Sequence, residues 1–233
     1  MNKAARDPNL WQDFDFKCTK AEGIISLLNL NMFSKLKNIH LREVDSNEGN
    51  DSNEVEENDE DHSDVGGNDD DIHFSTEEME TILRLLIDRK LPKQKLTISN
   101  LDMMMIDDNS LLVNAMNQAE EVIIGNDISI SGQQMRLFLK NIFNGRVKRL
   151  SLSNVNCDGV PPKIFSNAVN KKLESLKIDR FYSYHFDDIF SNMKENTTLK
   201  QLDIRQHYWP DGEEGLDLKD LNKVSGITNI HHI

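Results

Sequence analysis

The residues of this chain that come nearest to a chemical motif lie in an acidic run. Asp61-x-Ser63-x-Val65-Gly66 sets side-chain oxygens at alternate positions ahead of a glycine, as a calcium-binding loop does. Val65, however, stands where an oxygen ligand belongs, and Ile72 occupies the place of the bidentate glutamate that would close the shell. The run is therefore not read as a calcium site. Gly66-Gly67 is embedded in acid and no glycine is followed by Lys-Ser or Lys-Thr, which excludes a phosphate-cradling loop. Neither a nucleophile elbow nor a His-Glu-x-x-His zinc motif occurs. His231 and His232 are adjacent, and neighbours on a strand point to opposite faces. Cys18 and Cys157 lie far apart in the chain, with no histidine at a suggestive spacing. No cofactor, no metal and no catalytic residue is expected, and the chain reads as non-catalytic.

What recurs at fixed spacing is a set of structural elements. Val147-x-x-Leu150-x-Leu152-x-x-Val155 and Leu173-x-x-Leu176-x-Ile178-x-x-Phe181 share one pattern, offset by 26 residues. Taking its fourth position as marker, the series runs Phe14, Ile39, Leu96, Val122, Leu150, Leu176, Leu202, with spacings of 25, 57, 26, 28, 26 and 26. A period in this range signals stacked supersecondary units. Each marker is expected on a short strand, and helical patterns follow most of them. Ile24, Ile25, Leu27 and Leu28 suit a helix. Ser75 and Glu78 form a capping box ahead of Met79, Ile82, Leu83 and Leu86 on one face, with Phe74 placed to staple onto Met79. A short helix is expected over 111–116. Ser131 and Gln134 form a second box ahead of Met135, Phe138, Leu139, Ile142 and Phe143, with Gly145 as stop. Pro161-Pro162 opens a helix carrying Ile164, Phe165, Ala168 and Val169. Further helices are expected near 186–193 and 216–224, and residues 227–233 suggest a partial eighth strand of ambiguous register.

The one anomalous spacing coincides with an acidic segment. Residues 45–71 hold 13 Asp or Glu and no Lys or Arg; without them the chain has 40 − 13 = 27 acidic residues against 27 basic ones. The net charge of −13 thus belongs to that segment, and neither a general DNA-binding face nor an acidic-membrane-binding face is implied. Few apolar residues and many like charges cannot offset the entropy of ordering, so residues 45–72 are expected to be a disordered insertion, and residues 1–10 a disordered N-terminus. No apolar run approaches the ~20 residues of a membrane helix. A soluble intracellular protein, cytoplasmic or nuclear, is the expectation.

The pattern of the 147–155 and 173–181 stretches, with helical returns at this period, resembles leucine-rich repeats, particularly the ribonuclease-inhibitor-like class, over residues 11–207. The usual asparagine after each strand is mostly replaced: Thr19, Val44, Leu101, Asp127, Val155, Phe181 and His207 stand there. The resemblance implies an α/β solenoid of about seven divergent repeats spanning 11–233, a curved parallel sheet with helices on its convex side. It would place the alternate strand positions on the concave sheet: Asp15 and Lys17, His40 and Arg42, Thr97 and Ser99, Ile123 and Gly125, Ser151 and Ser153, Lys177 and Asp179, Asp203 and Arg205. Lys177 would then sit beside Asp203 and Asp179 beside Arg205, either as a self-satisfied solvated face or as a partner-binding one. Tyr182, Tyr184, His185, His207, Tyr208 and Trp209 cluster after the last two strands, as core and loop packing or as an aromatic edge for binding.

The function implied is a non-catalytic interaction scaffold for a protein partner. One alternative is the substrate-recognition subunit of a ubiquitin ligase, although residues 1–35 hold no F-box. Another is binding of histones or other basic proteins, through the acidic insertion. An enzyme or GTPase activator is the weakest reading. Direct nucleic-acid binding is not expected.

Overall fold

The structure is a computed structural model, and it describes residues 13–17, 21–29, 37–42, 75–89, 94–99, 103, 106–125, 128, 130–155, 160–179, 196–205 and 229–232. Strands β1 (Asp13–Lys17), β2 (Asn38–Arg42), β3 (Lys95–Ser99), β4 (Glu121–Gly125), β5 (Arg149–Ser153), β6 (Ser175–Asp179), β7 (Gln201–Arg205) and β8 (Asn229–His232) form one sheet in sequence order. Every neighbouring pair is parallel. Parallel neighbours need a crossover, and helices α1 (Ala21–Leu28), α2 (Thr76–Asp88), α3 (Asn109–Asn117), α4 (Gly132–Asn141) and α5 (Pro162–Lys171) supply it between successive strands from β1 to β6. Each of these helices packs on the next, so the strand–helix units stack in a solenoid-like array.

The register explains the sequence period. Phe14, Ile39, Leu96, Val122, Leu150, Leu176, Leu202 and Ile230 stand opposite one another in a single column across the sheet. Two residues on, Leu41, Ile98, Ile124, Leu152, Ile178 and Ile204 form a second. From Ile39 to Ile204 both columns are buried, and they join Ile82, Leu86, Leu112, Met116, Met135, Phe138, Phe165 and Val169 of the helices in one continuous core. Burying each such side chain stabilises the fold by ~1.5–3 kcal/mol relative to exposure, and only a neighbouring unit can provide that burial.

The 57-residue spacing does not break the column, since Ile39 lies directly opposite Leu96. The extra chain falls between β2 and α2, so it enlarges one strand-to-helix connection without displacing a repeat. The acidic insertion 45–72, residues 1–10, and the helices expected near 186–193 and 216–224 lie outside the described residues. The eighth strand is present, and its pairing of Ile230 with Leu202 settles the register that its sequence left open.

Caps begin the helices where the sequence places them. Ser75 Oγ accepts from Glu78 N–H at 3.3 Å while Ser75 N–H donates to Glu78 Oε2 at 2.9 Å. Ser131 and Gln134 repeat the arrangement at 3.2 and 2.9 Å. At the end of α4, Gly145 stops the helical segment as expected, and one expectation needs correction. The chain tightens into a 3-10 turn over Ile142–Asn144, and Phe143 within it is 46% exposed instead of lying on the apolar face. Gly145 has φ −96°, not a left-handed cap. Its lack of a side chain matters because a Cβ there would lie 2.6 Å from Asn117 Cβ and 2.7 Å from Asn117 O.

Two backbone ladders tie each unit to the one before. Two residues ahead of their markers, Gln94 N–H donates to Lys37 O at 2.7 Å, Lys148 to Glu120 at 2.8 Å, Glu174 to Lys148 at 2.7 Å and Lys200 to Glu174 at 2.8 Å, while Glu121, one residue ahead of Val122, donates to Gln94 O at 2.9 Å. Past the helix ends, Arg146 N–H donates to Asn117 O and Thr197 N–H to Asn170 O, both at 2.8 Å. Carbonyls that a helix C-terminus leaves unpaired are thus satisfied by the next unit.

Candidate functional site

Because helix-facing positions alternate with outward ones along each strand, the face of the sheet turned away from the helices is built from every repeat at once. The register orders it in columns. His40, Thr97, Ile123, Ser151, Lys177 and Asp203 make one, flanked by Asp15 on β1 and His231 on β8. Lys17, Arg42, Ser99 and Gly125 begin the next, and Ser153, Asp179 and Arg205 continue it. The candidate strand residues thus occupy register positions in these two columns. Lys177 stands opposite Asp203, and Asp179 opposite Arg205.

Thr97, Ser151, Ser153, Asp179 and His40 are half-buried and Lys177 is exposed. Ser99 and Asp203 are not open as expected: they are 9% and 5% exposed. Both are short side chains on strands paired on each side. Ser99 Oγ lies 2.8 Å from His40 Nε2. A serine–histidine pair of this kind is one requirement of nucleophilic catalysis, but a nucleophile also needs donors for a developing oxyanion. Here the strand amides around Ser99 are committed to the ladder with β2 and β4, so the pair is read as a link between β2 and β3. Ser153 Oγ donates to Asp179 Oδ2 at 3.4 Å and links β5 to β6. Beside them, Gly125 lets β4 approach β5, since a Cβ would meet Ser153 Cβ at 3.0 Å. The aromatic edge expected from Tyr182, Tyr184, Tyr208 and Trp209 lies outside the described residues.

A charged border runs along the N-terminal ends of the strands, and its residues were passed over in the sequence. Arg149 Nε donates to Glu121 Oε2 at 3.1 Å and Arg146 to Glu120 Oε1 at 2.6 Å. Glu174 receives Lys200 at 3.2 Å and Lys148 at 3.5 Å. The hydrogen bond from Lys200, followed by the attraction of Lys200 and Lys148, holds the Glu174 carboxyl below the usual carboxylate range. Glu120, Lys148, Glu174 and Lys200 recur at spacings of 28, 26 and 26, alternate in sign, and stand two residues ahead of the apolar marker. That periodicity was the available signal. The pairs are exposed and satisfy one another, so each contributes only ~0–1 kcal/mol and leaves little charge for a partner.

Among the described residues, no group of three or more His, Cys, Asp or Glu is placed to hold a metal ion. Among them also, no helix is long and apolar enough to cross a membrane. A scan against protein-family models and searches of curated proteins and of solved structures return no match to this chain.

Proposed function

We propose that this chain is a leucine-rich-repeat protein of the ribonuclease-inhibitor-like kind, with about seven repeats, and that it holds a protein partner on the concave, helix-free face of its sheet. The observation that carries the reading is the single register of the strands. It aligns the alternate strand positions of successive repeats in columns that are polar except at Ile123 and Gly125, an array that no isolated repeat possesses. Partner contact would centre on His40, Thr97, Ser151, Lys177 and Asp179, with Arg42, Ser153 and Arg205 at the margins. Ser99 and Asp203 would position their neighbours rather than touch the partner, because they are covered.

The test is site-specific photocrosslinking in native extract, with the crosslinker at position 177 on the sheet face or at position 114 on the exposed side of α3. A discrete protein adduct at 177 and none at 114 supports the reading. Equal adducts at both, or none at 177, refutes it. A second reading, binding of basic proteins by residues 45–71, is favoured by one observation: those residues carry 13 acidic and no basic side chains. Its partners would be lost on raising salt, whereas a partner on the sheet face would be retained.

A further inference from the structure

The helix layer is electrostatically divided. α2 carries Glu77, Glu78, Glu80 and Asp88 against Arg84, and Arg84 is paired with Glu80 at 3.3 Å. α3 carries no charged residue. α4 and α5, which pack side by side, carry Arg136, Lys140, Lys163 and Lys171 and no acid at all. From Ile128 to Leu173 there are eight basic residues and a single acid, Asp158, in a chain whose overall charge is −13. Of these eight, Arg146, Arg149 and Lys148 meet carboxylates, at Glu120, Glu121 and Glu174. No described carboxylate pairs with Arg136, Lys140, Lys163 or Lys171, and all four are exposed.

Their placement is regular. Arg136, Lys140 and Phe143 recur at i, i+4 and i+7, within one strip of the outward side of α4 and the turn that follows it. Lys163 and Lys171 lie two turns apart on α5, whose axis runs ~8–10 Å away. Phe143, 46% exposed, is the large hydrophobic side chain that the described surface leaves open, and it stands at the end of the cationic strip.

We propose that this face of α4 and α5 docks an acidic polypeptide segment of a separate protein, one that also presents an apolar side chain to cover Phe143. Charge complementarity sets the sign of the partner. Along α4, cations four residues apart lie ~6 Å from one another, close to the spacing of alternate side chains on an extended peptide. The chain's net charge of −13 opposes a dense polyanion such as duplex DNA more strongly than a short acidic peptide. The surface is on the opposite side of the fold from the sheet face, so it stands or falls independently of the partner proposed there.

The experiment measures fluorescence anisotropy of a labelled short peptide of alternating glutamate and leucine against the full chain, at about 50 mM salt. Binding is expected to weaken about tenfold or more in Arg136→Glu/Lys140→Glu and in Lys163→Glu/Lys171→Glu, and to fall with salt. Phe143→Ala should weaken it about threefold or more. Asn114→Ala on α3 should leave it unchanged. These exposed substitutions should not disturb folding, which circular dichroism checks. Absence of binding to the full chain overturns the proposal, as does binding that ignores the four cations. A duplex oligonucleotide or an anionic vesicle that binds through the same cations more tightly than the peptide overturns the polypeptide assignment.

Discussion

Replacing Gln134 by leucine tests how neighbouring units are joined. Gln134 is 1% exposed and its amide serves two units at once. Its Oε1 accepts from Ser131 N–H at 2.9 Å and closes the cap of α4, while its Nε2 donates to the Met103 carbonyl at 2.6 Å. Leucine is of similar volume, so little cavity is left. The cap loses one of its two reciprocal bonds, a cost of ~0.5–1 kcal/mol. The Met103 carbonyl loses a buried donor, which costs ~1–3 kcal/mol in desolvation. The sum is about 1.5–4 kcal/mol. In urea denaturation followed by circular dichroism, at a slope near ~3 kcal/mol per molar, the midpoint should fall by roughly 1 M. Ser131→Ala removes only the other half of the cap and should cost ~1 kcal/mol. Hydrogen exchange in Gln134→Leu should show lost protection at the start of α4 and around Met103 before other units open. If Gln134→Leu costs no more than Ser131→Ala, the bond to Met103 contributes nothing and the account of the joint is wrong.

Three further outcomes follow from the same packing. Gly145→Ala should destabilise by ~1–3 kcal/mol despite an ordinary φ, because the methyl would meet Asn117; relieving the contact with Asn117→Gly in the same chain should recover part of the loss. Phe138→Ala, at a fully buried position, should cost ~3–5 kcal/mol in the same denaturation assay, whereas Phe143→Ala should stay within about 0.5 kcal/mol. Glu174 has a folded pKa below its ordinary 4.5, so its contribution is present above that pH and is lost as pH falls through the folded value. Glu174→Gln should therefore be less stable than the parent chain near neutrality, by at most ~1 kcal/mol after screening, and the two stabilities should converge in acid and in high salt.

The sequence by itself determined the period and the side of each element that turns inward. A strand marker must be apolar in every repeat because it is buried between sheet and helices, so the burial column from Ile39 to Leu202 leaves a trace at each recurrence. Capping boxes were equally legible at Ser75 and Ser131, since a cap is made by residues three apart.

What only the tertiary structure decided depends on groups far apart in the chain. That β3 pairs with β2 across the acidic segment is a matter of register between residues 57 apart, Ile39 and Leu96. Phe143 lies in the 3-10 turn that follows α4 and is 46% exposed, which its apolar character does not reveal. Gly145 reads in sequence as a helix stop, yet its need for no side chain arises from Asn117 in the previous unit. Ser99 and Asp203 look like surface residues until neighbouring strands cover them. The basic face of α4 and α5 was hidden for a similar reason: residues 136, 140, 163 and 171 become one surface only when two helices are laid side by side, and outside residues 45–71 the balance of 27 acidic and 27 basic residues gives no hint of where the charges gather.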